Sequence, residues 1–125
     1  MTARRLWIWG PAVAQMAAIF TASSLSELPS LPGGLTNHTG HFIGYALLGA
    51  LLLRALAQAS WTGVTRRAVV LAWVGSVAYG VTDELHQAFV PMRTPALDDL
   101  AADALGAAAG ITIALIIGRL WLTKT

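Results

Sequence analysis

The chain has 125 residues, 56% of them hydrophobic and only 11% charged, with a mean hydropathy of +0.64. A water-soluble domain covers its surface with about 25% charged residues, so this composition excludes one and indicates an integral membrane protein. The net charge of +2 and pI of 9.7 do not indicate a nucleic-acid partner, because the basic residues sit singly or in pairs beside apolar blocks. The absence of cysteine excludes disulfides, thiol catalysis and thiolate metal ligands.

A spanning helix needs roughly 20 mostly apolar residues to cross ~30 Å of hydrocarbon. The first such block, about 6–22, follows Arg4-Arg5 and is interrupted only by Pro11 and Gln15. A cleaved signal peptide would also begin with basic residues, but Phe20 occupies the −3 position counted back from Ala22, where a small residue belongs. The block therefore reads as a retained helix. The second runs over about 41–59, with Arg54 near its end, where a long side chain can snorkel to the interface. The third covers about 68–87 and the fourth about 97–122.

Four helices place the N-terminus, the 55–67 loop and the C-terminus on one side. That side carries Arg4, Arg5, Arg54, Arg66, Arg67, Arg119 and Lys124, against Arg93 alone on the other. The positive-inside rule then puts both termini in the cytoplasm. The expectation is an all-α, integral membrane four-helix bundle in the cell membrane, a single domain over residues 1–125.

The two outer loops differ in kind. Ser23 to Gly40, SSLSELPSLPGGLTNHTG, reads as a long, semi-ordered excursion rich in serine, proline and glycine. The shorter VPMRTPALDD segment offers Thr94 as a cap and Pro95 for the first turn of helix four, with Asp98 and Asp99 close behind at the positive helix end.

The third block ends in YGVTDELHQAFVPMR, which gathers Asp83, Glu84, His86 and Gln87 into five positions. At 1.5 Å per residue, Asp83 and Glu84 lie about one turn inside the outer boundary and Asp103 one to two turns inside. His41 starts helix two, and Tyr45 lies one turn deeper on the same face. Residues from three helices therefore share one depth. A carboxylate there costs several kcal/mol unless it pairs or finds water. Asp83 aligns with His86 and Gln87 at i+3 and i+4, and Asp99 with Asp103 at i+4. Arg93, the only cation on that side, is expected to fold back over the carboxylates.

Three segments carry a family resemblance: HFIGYALLG from His41, DELHQAFVPMR from Asp83, and DLAADALGAAAG from Asp99. Together, over about His38 to Gly110, they resemble the VanZ-like family. The resemblance implies a small bacterial membrane protein of about four helices, in a family whose founding member is linked to teicoplanin resistance. The chain departs from that family's usual pattern at Asn37-His38, where members often have Asp-Lys, and at Asp103, where they often have Asn.

Glu84, His86 and His41 supply the groups for general acid–base chemistry. Asp83, Gln87, Arg93, Asp103 and Tyr45 are the candidate ligand-binding residues, Tyr45 also reading as a packed ring with its hydroxyl on a polar partner. Asn37-His38-x-x-His41 could hold a metal with nearby carboxylates, but no HExxH-type pattern accompanies it, and the sequence assigns neither metal nor cofactor. Asp98 and Asp99 read as helix-start electrostatics, and Gly106-x-x-x-Gly110 as a helix-packing face. The partner these features suggest is a membrane lipid or lipid-linked envelope precursor, with a lipid-directed hydrolase or transferase and a structural scaffold as the other readings.

Overall fold

The computed structural model describes residues 2–26, 33 and 36–123, so much of the 23–40 loop lies outside the described residues. Among the described residues there are four α-helices, α1 Ala3–Ser23, α2 Asn37–Leu56, α3 Arg66–Gln87 and α4 Leu97–Leu122, with a 3-10 turn at Trp61–Gly63 between α2 and α3. No strand occurs among the described residues. All four helices are long and apolar enough to cross a membrane. Their outward faces carry large apolar side chains such as Trp7, Val70 and Ile113, as hydrocarbon requires.

Helix starts follow capping chemistry, which hydropathy does not see. α2 begins four residues before the apolar block because the Thr36 hydroxyl accepts from the Thr39 backbone N–H at 3.4 Å. Its end falls at Leu56, earlier than the expected 59, because Gln58 and Ala59 take left-handed φ of 56° and 57°. Thr65 caps α3 through Ala68 N at 3.1 Å. α4 corrects the expectation. Thr94 does not cap it and Pro95 precedes it, while the N-cap is Ala96, which has no side chain to offer. The Ala96 N–H donates instead to Glu84 Oε2 at 2.8 Å. A carboxylate from the end of α3 thus anchors the start of α4.

α2 is the central helix, packing on α1, α3 and, most extensively, α4. Gly106 and Gly110 face it: a Cβ on Gly106 would collide with the Phe42 carbonyl and one on Gly110 with the Ala46 carbonyl. From the other side, a Cβ on Gly49 would meet the Ala107 carbonyl. Lipid supplies no hydrophobic drive between helices, so this close backbone approach is what holds the pair. A small apolar cluster of Leu53, Ala68, Ala72 and Ile111 joins α2, α3 and α4.

α1 is attached by polar contacts to backbone carbonyls. Pro11 lacks the N–H that would pair with the Trp7 carbonyl four residues earlier. The Arg54 guanidinium takes up that carbonyl at 3.0 Å and the Ile8 carbonyl at 3.1 Å, and lies 5.0 Å from the Trp7 ring centre. Arg54 thus ties the end of α2 to α1. Gln15 Nε2 donates to the Gly44 carbonyl at 2.9 Å, and the Tyr79 hydroxyl to the Met16 carbonyl at 2.7 Å.

Candidate functional site

Beyond Arg54, Gln15 and Ser76, whose hydroxyl donates to the Ala72 carbonyl within α3, the buried polarity gathers at the end of the bundle where α1 and α3 finish and α2 and α4 start. There His41 of α2, Asp83 and Glu84 of α3 and Asp103 of α4 each present a donor atom, all within 4.8 Å of one another. Asp83, Glu84 and Asp103 are buried and His41 nearly so. Gly80 makes the space: a Cβ there would sit 2.8 Å from Asp103 Oδ2.

Two layers of hydrogen bonds hold the group. In the inner layer, His41 Nδ1 pairs with Asp103 Oδ1 at 2.8 Å, and the Tyr45 hydroxyl donates to Asp83 Oδ2 at 3.4 Å. The Tyr45 ring lies parallel to His41, within 3°, at 6.3 Å between centres. The outer layer is built on Asp99, which is 3% exposed. It accepts from Asn37 Nδ2 at 3.2 Å, pairs with His38 Nδ1 at 2.6 Å, and places Oδ2 3.8 Å from His41 Nε2. Asp99 is thus a site residue and does more than complement a helix start. The i+4 spacing to Asp103 was the signal for it. Asp98, one residue earlier, is exposed. His38 binds Asp99 and stays outside the four-residue group, and the two histidines of the Asn37-His38-x-x-His41 motif meet only through Asp99.

Two expected members are elsewhere. His86 turns to α1, where its Nε2 lies 2.9 Å from Ser24 Oγ and its ring stacks on Phe20 at 4.5 Å. Ser24 Oγ also sits 2.7 Å from the Phe20 carbonyl. With its proton there, it accepts from His86 and is not an activated nucleophile. Arg93 does not lie over the carboxylates. Its Nη1 donates to the Leu25 carbonyl at 3.1 Å, where the terminal carbonyls past α1 attract a cation. Among the described residues, only histidines come within ion-pairing distance of the buried carboxylates.

A recess of about 360 Å³ opens between α1, α2 and α3 beside this group. Ile19, Ala22 and Leu25 form an apolar wall, and His41, Asp83, Gln87 and Arg93 line the other side. Among the described residues, four buried side-chain atoms have no hydrogen-bond partner: Ser23 Oγ, Glu84 Oε1, Gln87 Oε1 and Asp103 Oδ2. All four belong to this end of the bundle, Ser23 and Gln87 in the recess wall itself. Native proteins satisfy nearly all such atoms, so their concentration around one opening marks a place prepared for something other than the chain.

Four apolar helices, with a cluster of carboxyls and an imidazole beside a recess at one end, define a polytopic membrane protein with a candidate binding site near one membrane face. The chain belongs to the VanZ/LLP1 family, whose model matches residues 8–118. That match spans all four helices and every site residue described above. No curated protein and no solved structure matches the chain.

Proposed function

We propose that this VanZ-like membrane protein engages a cell-envelope component through the recess, with both termini in the cytoplasm and the recess facing outward. The charge count supports that orientation, with Arg4, Arg5, Arg66, Arg67 and Arg119 at the terminal end and Arg93 alone at the other. The observation that carries the reading is the set of unpartnered buried atoms around a largely apolar opening. A lipid or lipid-linked wall precursor has the matching chemistry. Its chain lies along Ile19 and Ala22, and its polar head meets Gln87, Ser23 and Arg93, the last exchanging the Leu25 carbonyl for a phosphate. A contribution to glycopeptide resistance, teicoplanin included, fits a protein that alters access to such a precursor.

The test combines lipid binding with a cellular readout. Purified Asp83→Asn, Gln87→Ala and Arg93→Ala variants, confirmed as folded by circular dichroism, are expected to lose retention of anionic lipids in native mass spectrometry. Cells carrying them are expected to lose any teicoplanin tolerance conferred by the wild type. Wild-type retention and tolerance in all three would overturn the reading.

One observation favours a second, enzymatic reading. His41 is held at Nδ1 by a buried carboxylate, the arrangement that orients an imidazole for proton transfer. Under it, His41→Gln abolishes turnover of phospholipid headgroups by the purified protein while lipid retention survives. No turnover by the wild type leaves binding as the function.

A further inference from the structure

The four-residue group behind the recess has a charge problem that the protein alone does not solve. Asp83, Glu84, Asp99 and Asp103 are all buried, and the only partners among the described residues that can carry a positive charge are His38 and His41. Ionised carboxylates held this way cost several kcal/mol each. We propose that His41, Asp83, Glu84 and Asp103 bind one first-row divalent cation of the Zn2+ or Mn2+ class.

Three independent features carry this. The first is spacing: donors bonded to one such ion at about 2.0–2.2 Å stand at most about 4.4 Å apart, and these four lie within 4.8 Å of one another, so small side-chain shifts bring them onto one ion. The second is unused bonding capacity. Glu84 Oε1 and Asp103 Oδ2 are buried without partners, in side chains 9% and 0% exposed. The third is a prepared outer layer. Once Nδ1 of His41 turns from Asp103 to the cation, Nε2–H faces Asp99 Oδ2, now 3.8 Å away. Asp99 is itself fixed by Asn37 and His38. A carboxylate behind a ligating imidazole is the usual means of orienting it and raising its basicity.

One nitrogen and three carboxylates select a borderline first-row ion; Ca2+ and Mg2+ take all-oxygen sets. His41 and Asp83 also line the recess, which gives the ion a route in and lets it meet a phosphate or carbonyl oxygen of whatever enters. The proposal does not depend on what the recess engages.

The experiment uses full-length protein in detergent, stripped with EDTA and titrated with Zn2+ and with Mn2+ by calorimetry, alongside elemental analysis of unstripped protein. The expected result is saturable binding of about one ion per chain. Glu84→Gln and Asp103→Asn, which keep a hydrogen-bonding oxygen in place, are expected to weaken it by more than tenfold, and Asp99→Asn by about tenfold. Arg93→Ala and Gln87→Ala are expected to leave it unchanged while abolishing lipid retention, which separates failure of this site from failure of the recess. In the Mn2+ form, electron paramagnetic resonance is expected to show coupling to one imidazole nitrogen, absent in His41→Gln. Folded wild-type protein that shows no saturable site, or a site indifferent to both Glu84→Gln and Asp103→Asn, overturns the proposal.

Discussion

The two ends of the bundle handle buried polarity in opposite ways. At the terminal end, Pro11 frees a carbonyl and Arg54 takes it up, together with the neighbouring one and the face of Trp7. Each group put in the apolar interior there meets a partner from the same chain. At the other end Asp83, Glu84, Asp99 and Asp103 are gathered together, and oxygens of Glu84, Gln87 and Asp103 remain unpaired. One end is a closed structural account and the other is left open. The difference teaches that polarity in a membrane span points to function only when its hydrogen bonds do not close within the protein.

That contrast can be broken or sharpened by substitution, with unfolding of the purified protein in detergent as the common readout. The largest effect belongs to the backbone contact that both ends share. Gly110→Leu drives a side chain into the Ala46 carbonyl, and a loss of about 3 kcal/mol or more is expected. An unchanged midpoint would remove the α2–α4 contact as the bundle's main joint.

Arg54→Ala should come next, at about 2–3 kcal/mol, because it strands the Trp7 carbonyl and removes the cation from the Trp7 ring. Pro11→Ala restores a backbone donor to Trp7, so the double variant should recover about half of that loss. Strict additivity in this cycle would show that Arg54 acts without reference to the proline.

At the open end the effects should be smaller and of mixed sign. Glu84→Ala removes the acceptor of the Ala96 N–H, at about 1 kcal/mol, the usual cost of a lost cap. Glu84→Gln keeps an acceptor and deletes a charge, so under metal-free conditions it is expected to be neutral or slightly stabilising. If Glu84→Gln destabilised the stripped protein as much as Arg54→Ala does, the open end would be structural like the closed one.

The helices were legible in the sequence because each is a long apolar block, and length alone selects a spanning helix. The depth of the site was legible as well, since counting 1.5 Å per residue along α2, α3 and α4 brings His41, Asp83, Glu84 and Asp103 to one level. Direction around each helix axis was less accessible. Glu84 and His86 are two residues apart, which at 3.6 residues per turn separates them by roughly 160°. Only one of them can face α4, and which one depends on how α2, α3 and α4 pack. Glu84 turns to the start of α4, while His86 turns to Phe20 and Ser24 of α1. Asp99 and Asp103 are four apart and share a face, so the inclusion of Asp99 was readable from spacing alone. Arg93 departs from the charge-based expectation because free carbonyls beyond α1, which charge and hydropathy do not register, take its guanidinium. The left-handed turn at Met92, φ 64°, belongs to the connection carrying Arg93, and connection geometry of this kind leaves little trace in hydropathy.

The central claim is that ionisable groups from three separate spans meet at one recess and keep bonding capacity for something outside the chain. A density map of the protein purified in lipid nanodiscs tests this most directly. The predicted map has His41 beside Glu84 and Asp103, with non-protein density bonded to Asp103 Oδ2 or Glu84 Oε1. A map in which both oxygens are satisfied by the chain's own donors, with nothing bound beside Asp83 and Gln87, would contradict it.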